Sequence, residues 1–303
     1  MSGQPIAVIG ASGQVARALQ RAGAERAANL VVAGRPVIDL TRNASVAAFL
    51  DGIEPSIVIN AAAYTAVDKA ETEEAEAFRI NRDGPHYLAK WCAAHAVPLL
   101  HISTDYVFDG CSRTPYSERD ACHPLSAYGR SKAAGEDAVR DALSEHIIVR
   151  TAWVYSADGN NFLKTMLRLG AERDVIRVVA DQYGTPTSAD DIASALIDIA
   201  GRVLANRASA PWGTYHLVAD GHTTWHGFAR EIFAAAEVEG YNTPRVDAIP
   251  TADYPTPARR PQFGVLDTTE IRRAFGIALP PWQEGVAACV RRLTHHVQCA
   301  HQG

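Results

Sequence analysis

The chain has 303 residues, of which 47% are hydrophobic and 21% are charged, and its formal net charge is -5. This composition is typical of a globular protein with a large core or two domains, and its mild acidity disfavours a nucleic-acid or anionic-membrane surface. No apolar run approaches the ~20 residues of a spanning helix, no signal peptide is recognised, and the five cysteines form no CxxC pair, so we expect a cytoplasmic protein.

A glycine-rich turn follows the first predicted strand. The apolar run at 5–9 predicts a buried parallel strand, and an alanine-rich helix is predicted over 17–28. Between them, Gly10 permits a tight turn, and Gly13 lets the backbone approach a pyrophosphate at the helix N-terminus. Ala16 is small enough for helix and strand to pack closely. We therefore predict that a dinucleotide binds here, with contacts from Gly10, Ser12, Gly13, Gln14 and Val15.

The end of the second predicted strand, at 30–33, bears on the choice of nicotinamide cofactor. An acid there would bind the ribose 2′-hydroxyl, whereas an arginine accommodates a 2′-phosphate. The chain has Arg35 and no acid, which favours NADPH and leaves NADH as the alternative. Asp39 and Leu40 are placed to flank the adenine, although Asp39 could equally cap a helix predicted at 45–50.

The third predicted strand, at 55–60, ends in small residues that leave room for a ligand against the backbone. Ligands of open α/β sheets bind at this edge. The predicted cofactor contacts here are Ala61, Ala62, Ala63 and Tyr64. A helix that begins near Val67 is expected to start close to the substrate, and a long helix is predicted over 78–94.

A hydroxyl residue and a tyrosine–lysine pair provide candidate acid chemistry. Thr104 and Asp105 follow a strand predicted at 99–103, and Tyr128 and Lys132 share one face of a predicted helix. A free tyrosine titrates near pH ~10, and a nearby ammonium group would lower that pKa. The phenol could then protonate an oxygen that gains negative charge, while Thr104 holds the same oxygen by a hydrogen bond.

Together these motifs resemble the extended short-chain dehydrogenase/reductases. They are Gly10-x-x-Gly13-x-x-Ala16, Asn60-Ala-Ala-Ala, Ser103-Thr-Asp and Tyr128-x-x-x-Lys132. Longer strings resemble the dTDP-4-dehydrorhamnose reductase family, among them Asn60-Ala-Ala-Ala-Tyr-Thr-Ala-Val-Asp-Lys-Ala-Glu71, Ser103-Thr-Asp-Tyr-Val-Phe108 and Arg150-Thr-Ala-Trp-Val-Tyr155. The likeness runs from Ile6 to about Arg292. Ala16 replaces the last glycine of the pattern, and Arg35 stands where some members carry an acid.

The resemblance implies an α/β fold, a Rossmann-type doubly wound parallel sheet with a smaller α/β C-terminal substrate-binding lobe. Residues 1–155 would form the dinucleotide-binding domain, with returning segments around 177–220 that include a strand at 178–181. Residues 156–303 would form mainly the sugar-nucleotide lobe. The implied reaction is reduction of the C4 keto group of dTDP-4-dehydro-L-rhamnose by NAD(P)H. Its product, dTDP-L-rhamnose, supplies lipopolysaccharide and O-antigen synthesis.

The resemblance also implies residue roles. Tyr128 would protonate the carbonyl oxygen, and Lys132 would lower the Tyr128 pKa and bind the nicotinamide ribose. The substrate contacts would be Thr104, Asp105, Trp153, Val67, Asn161 and Arg259. Trp153 could stack on the sugar ring or be a core residue, and either Arg259 or Arg260 would bind the diphosphate.

Further partners follow from the same resemblance. Some members of the family dimerise around a magnesium ion, so a homodimer is one expectation. No metal ligand is assigned, because Arg17 and Ala18 occupy the first helix face. No nucleic-acid or membrane partner is expected.

Three alternative functions compete with that of the reductase. Sugar-nucleotide dehydratases carry Thr-Asp-Glu where this chain has Thr104, Asp105 and Tyr106, and C4 epimerases usually have a small residue in place of Asp105. A nucleotide-binding regulatory subunit of the methionine adenosyltransferase type shares the fold and needs no turnover. The intact Thr104, Tyr128 and Lys132 disfavour that subunit without excluding it.

Overall fold

The computed structural model describes residues 4–300 and the side chains through residue 294. Its strands are β1 (Ile6–Ile9), β2 (Leu30–Ala33), β3 (Ile57–Asn60), β4 (Leu99–Thr104), β5 (His146–Thr151), β6 (Val154–Tyr155), β7 (Val175–Val179), β8 (Tyr183–Gly184), β9 (Thr187–Ser188), β10 (Gly213–His216), β11 (Thr223–Thr224) and β12 (Arg245–Ile249). Its helices are α1 (Gln14–Glu25), α2 (Asn43–Ile53), α3 (Val67–Ala70), α4 (Glu74–Phe78), α5 (Gly84–His95), α6 (Ala127–Ala142), α7 (Phe162–Glu172), α8 (Ala189–Ala205), α9 (Trp225–Val238), α10 (Thr269–Phe275) and α11 (Trp282–Ala300).

A six-stranded parallel sheet has the order β2-β1-β3-β4-β5-β10. Both of its faces are covered, which is why its strands are almost continuously apolar. Helices α1 and α8 pack on one face, against Val8 and Ile59, and α2, α5 and α6 cover the other face, against Ile9 and Val58. The predicted doubly wound sheet is confirmed, and its order reverses between β1 and β3, where such sheets bind ligands.

The second half of the chain builds a second core from α7, α9 and α11. Phe228 and Ile232 of α9 lie there with Val286 and Val290 of α11, all of them buried. Three two-stranded sheets surround this core: β7 with β12, β6 with β9, and β8 with β11.

The strand predicted at 178–181 to return to the main sheet does not do so. The observed strand, β7, pairs instead with β12. Its exposed Val175 and Arg177 alternate with buried residues, and a one-sided pattern of this kind does not suit a sheet that is buried on both faces. The return to the main sheet is made by β10, which pairs with β5.

The helix predicted over 78–94 begins earlier and is interrupted by a wider π turn at Arg79–Asp83. Pro85 lies near the start of α5 and lacks the N–H that would donate to the carbonyl of residue 81. The wider turn accommodates this missing bond and directs the buried Asn81 inward.

Two predicted helix starts are shifted in the structure. Helix α1 begins at Gln14, three residues before the predicted start, directly after the glycine turn. Helix α2 begins after Arg42, so Asp39 is not its cap. Asp39 instead accepts hydrogen bonds from the Thr41 N–H and hydroxyl, at 3.0 and 2.8 Å. Among the described residues, every helix is too short or too polar to cross a bilayer.

Candidate active site

The glycine turn after β1 is packed tightly against the end of β3. Gly10 has a φ of +116°, and a Cβ placed on it would lie 2.9 Å from the Ala62 nitrogen and 3.0 Å from the Ala61 carbonyl carbon. Gly13 is the N-cap of α1 and makes no side-chain capping hydrogen bond. The first N–H groups of a twelve-residue helix therefore face the sheet edge without a side-chain partner, which suits the pyrophosphate of a dinucleotide.

Gln14 and Asn161, predicted on opposite sides of the site, contact each other. The Asn161 amide nitrogen donates to Gln14 Oε1 at 2.9 Å, and Asn161 Oδ1 caps α7 by accepting from the Lys164 N–H at 3.0 Å. Gln14 Nε2 in turn lies 3.4 Å from the Val154 carbonyl oxygen. Both side chains thus join the cofactor turn to the second half of the chain.

At the end of β2, the side chain of Arg35 is exposed. Its guanidinium lies 3.4 Å from Asp39 Oδ1 and 3.9 Å from Glu76 Oε1. The hydrogen bonds from Thr41, more than Arg35, hold the pKa of Asp39 below its usual value. Leu40 is buried against Gly84, so its side chain belongs to the core beneath this edge.

The small residues after β3 lead into Tyr64, whose backbone is fixed by Asn81. Asn81 Oδ1 accepts from the Tyr64 N–H at 2.8 Å, and its Nδ2 lies 3.0 Å from the Tyr64 carbonyl oxygen and 2.9 Å from Ser131 Oγ. Ser131 is on the same helix as Tyr128. The π turn therefore ties the ligand-facing edge at Ala61–Tyr64 to the helix that carries the candidate acid.

Thr104, Asp105 and Tyr128 come together at the end of β4. The Thr104 hydroxyl donates to Asp105 Oδ1 at 3.0 Å and accepts from the Tyr106 N–H at 3.2 Å. Burial raises the pKa of Asp105 to about 7, and the hydrogen bond from Thr104 works against that rise. Because the hydroxyl has one hydrogen, Thr104 must turn away from Asp105 to hold a substrate oxygen.

Burial raises the pKa of Tyr128 to about 12, and an interaction with Thr104 works against that rise. The expectation that Lys132 lowers this pKa stays a prediction, because Lys132 is not among the groups that shift it here. Lys132 Nζ is directed at β4 instead, where it donates to the Ile102 carbonyl oxygen at 2.7 Å and lies 3.4 Å from His101 Nε2. Tyr128 is consequently a protonated phenol at neutral pH, which is the form a proton donor requires.

The candidate substrate side is aromatic. Trp153, half-buried and with a φ of +46°, stacks on Trp225 with ring centroids 3.6 Å apart. A Cβ at Gly184 would overlap the Trp153 indole, so one face of this ring is closely covered. Val67, at the start of α3, packs with Tyr106 around the cluster that contains Tyr128.

The structure separates the two arginines of the proline-rich segment. Arg259 is exposed, whereas Arg260 forms an ion pair with Asp68 at 2.9 Å and interacts with Tyr106. Tyr106 meets Tyr128 edge to face, with ring centroids 5.5 Å apart. Asp68 also accepts from the Ala258 N–H at 3.2 Å, so Arg260 is the arginine held beside the candidate acid.

Several residues that order this site were missed from the sequence. Asn60 and His101 could have been found from the sequence, because each is a polar residue that directly follows apolar residues of a buried strand and must find a partner there. Glu136 and Arg150 form a buried ion pair at 2.7 Å behind Lys132. For Asn81, the only indication in the sequence was Pro85 four residues later, which disrupts the helical hydrogen bond to the carbonyl of residue 81.

Comparisons with known proteins agree on one family. The family model described as the RmlD substrate binding domain matches residues 4–295. A dTDP-4-dehydrorhamnose reductase of Sinorhizobium fredii is 46% identical over 285 residues, which cover 94% of this chain and 96% of that protein.

Solved structures of the same family superpose along nearly the whole chain. A Clostridium acetobutylicum dTDP-4-dehydrorhamnose reductase has a TM-score of 0.88 and 36% identity, covering 95% of this chain and 99% of that one. The Bacillus anthracis dTDP-4-dehydrorhamnose reductase, crystallised in complex with NADP, also has a TM-score of 0.88, with 33% identity and the same coverage.

Proposed function

This chain belongs to the dTDP-4-dehydrorhamnose reductase family, and we infer that it reduces the C4 keto group of dTDP-4-dehydro-L-rhamnose to give dTDP-L-rhamnose. It is an NAD(P)H-dependent oxidoreductase of rhamnose biosynthesis. The observation that carries the reaction is that Thr104 and Tyr128 meet at the carboxyl end of β4, with Lys132 one turn further along the Tyr128 helix. This end of β4 lies at the same edge of the sheet as the glycine turn.

The residues at the sheet edge fit a nicotinamide dinucleotide. A Cβ would block the approach at Gly10, and the uncapped start of α1 offers N–H groups to a pyrophosphate. Ser12, Gly13 and Val15 would line this turn, Ala61, Ala62, Ala63 and Tyr64 would lie along the nicotinamide half, and Arg35 would face a 2′-phosphate. When bound, the reduced nicotinamide supplies the hydride that is delivered to C4.

The protein's own side chains stabilise and then protonate the C4 oxygen. As hydride arrives, negative charge develops there, and Tyr128 donates its phenolic proton to that oxygen. The Thr104 hydroxyl rotates from Asp105 to hydrogen-bond the same atom, which stabilises the charge before the proton arrives. The Lys132 ammonium group stabilises the phenolate that Tyr128 leaves behind.

We further propose how the sugar nucleotide is held. Arg260, rather than Arg259, would bind the diphosphate, because it already lies between Asp68 and Tyr106. The exposed edge of Trp153 would lie against the sugar, with Val67 and Asp105 beside it. Residues 1–155 would bind mainly the cofactor and 156–303 mainly the sugar nucleotide, in a cytoplasmic enzyme that forms a homodimer.

The test is to incubate the purified protein with NADPH and enzymatically prepared dTDP-4-dehydro-L-rhamnose. Reduced-nicotinamide absorbance should fall in step with the appearance of dTDP-L-rhamnose on anion-exchange chromatography. Tyr128→Phe, which lacks only the phenolic hydroxyl, should lose about 10²-fold or more in kcat and still bind NADPH. Wild-type protein that binds NADPH without consuming it would contradict the reductase and favour the regulatory-subunit alternative.

A further inference from the structure

Asn60 and His101 form a buried polar pair that the mechanism above does not use. The two residues are directly opposite each other and form the last pair of the register that joins β3 to β4. Both are completely buried. Buried polar side chains of this kind must form hydrogen bonds with each other or with a third group.

The orientation of the Asn60 amide is determined by the backbone. The Ala62 N–H donates to Asn60 Oδ1 at 3.2 Å, and only the amide oxygen can accept from an N–H. Asn60 Nδ2 is therefore the atom that lies 3.0 Å from His101 Nδ1. Since Nδ2 is a donor, Nδ1 of His101 must accept, and the hydrogen of the neutral imidazole belongs on Nε2.

This tautomer has a consequence for Lys132. The Nε2–H of His101 faces Lys132 Nζ across 3.4 Å, while Lys132 already donates to the Ile102 carbonyl oxygen at 2.7 Å. An ammonium nitrogen has no lone pair, so it cannot accept from Nε2–H, whereas an uncharged amine can. We propose that Asn60 and His101 are positioning residues that hold Lys132 on β4 and disfavour its ammonium form through this N–H.

Other groups around Lys132 also affect its protonation. Burial lowers the pKa of Lys132 to about 8, and Glu136, one turn further along α6, works in the opposite direction. Tyr128 lies one turn before it on the same helix. Burial holds the pKa of His101 well below its usual value, with Lys132, His146 and Arg140 adding in the same direction. His101 therefore stays neutral, as the argument requires.

The Asn60–His101 pair links the glycine turn, where the cofactor would bind, to Lys132. Ala62, whose N–H orients Asn60, is the residue against which Gly10 is packed. This inference rests on the proposed function for its effect on turnover. Its structural core, the tautomer of His101, is independent of any activity.

The tautomer is tested first, by ¹⁵N NMR of the full-length wild-type protein with labelled histidine. The His101 signals are assigned by their loss in His101→Gln. We expect Nδ1 of His101 to resonate as an unprotonated nitrogen and Nε2 as a protonated one. The opposite assignment would overturn the proposal whether or not the protein reduces the sugar nucleotide.

The effect on Lys132 is tested by reversing the tautomer. Asn60→Asp keeps an acceptor for the Ala62 N–H and presents a second acceptor to His101, so the hydrogen moves to Nδ1 and Nε2 becomes an acceptor for Lys132. The alkaline limb of kcat/KM, expected near pH 8 in wild type, should move upward by about one pH unit. The affinity for NADPH should change little.

A double-mutant comparison separates this relay from the added charge. In a His101→Leu background no imidazole can transmit the change, so Asn60→Asp should shift the alkaline limb by less than half as much. An equal shift in the two backgrounds, or no shift in either, would contradict the proposal. If the Leu background does not fold, the NMR assignment in wild type decides.

Discussion

Arg150 and Glu136 form a doubly hydrogen-bonded ion pair inside the protein. Arg150 Nε lies 2.9 Å from Glu136 Oε1, and Nη2 lies 2.7 Å from Oε2. Glu136 is on α6, the helix of Tyr128 and Lys132, and Arg150 is on β5, so the pair fastens the catalytic helix to the sheet. His216 lies 3.4 Å from Arg150 Nη1, and Cys122 Sγ lies 3.1 Å from Nη2.

Removing one member of this pair should destabilise the fold severely. Arg150→Met leaves a fully buried carboxylate without its main partner, which costs about 3–5 kcal/mol in the free energy of unfolding. Urea denaturation measures this cost. The double variant Arg150→Met/Glu136→Gln should be less destabilised than Arg150→Met, and a single variant as stable as wild type would show that the pair contributes nothing.

The hydroxyl of Thr104 should matter for turnover more than for binding. Thr104→Val keeps the shape of the side chain and removes the donor to the C4 oxygen, so kcat should fall about 10²-fold. Thr104→Ser retains the hydroxyl and should keep most of the activity. Steady-state kinetics at saturating NADPH measures both. Equal kcat values for the Val and Ser variants would remove Thr104 from the mechanism.

Arg260 and Arg259 provide a matched pair for locating the diphosphate. Arg260→Ala should raise the KM for the sugar nucleotide about tenfold or more, because a charge-assisted hydrogen bond is lost. Arg259→Ala, at an exposed neighbour, should change it little, and the KM for NADPH should be unaffected in both. The reverse order of effects would assign the diphosphate to Arg259.

Arg35 should select for the 2′-phosphate of the cofactor. Its side chain is 61% exposed, so Arg35→Ala should leave the free energy of unfolding almost unchanged. The variant should lose about tenfold in kcat/KM with NADPH and little with NADH. An equal loss of kcat/KM with NADPH and NADH would mean that Arg35 does not bind the 2′-phosphate.

The main sheet and the glycine turn were predictable because short-range signals specify them. Apolar runs such as residues 6–9 and 57–59 have a single stable environment, a strand covered on both faces. The left-handed conformation at Gly10 is likewise a local requirement. The grouping of Thr104 with Tyr128 depended on family resemblance, since no local rule brings a strand end to a helix across an intervening loop.

The remaining features depend on partners far away in the chain. Arg260 differs from Arg259 only because Asp68 lies on one side of the segment. Lys132 was expected to act on Tyr128, yet its nearest acceptor proved to be the Ile102 carbonyl. The pairing of β7 with β12, and not with the large sheet, depends on which of the two strand edges gives the more stable contact. The sequence of β7 alone does not determine that choice.

The late position of β10 has a consequence for synthesis on the ribosome. The strand that completes the cofactor-binding sheet ends at residue 216 of 303, and α8, which covers α1, comes only shortly before it. A nascent chain that has reached residue 155 exposes the free edge of β5 and the apolar side of α1. That intermediate would be open to edge-to-edge association and to chaperone capture, and a gene cut at that point would encode an incomplete sheet.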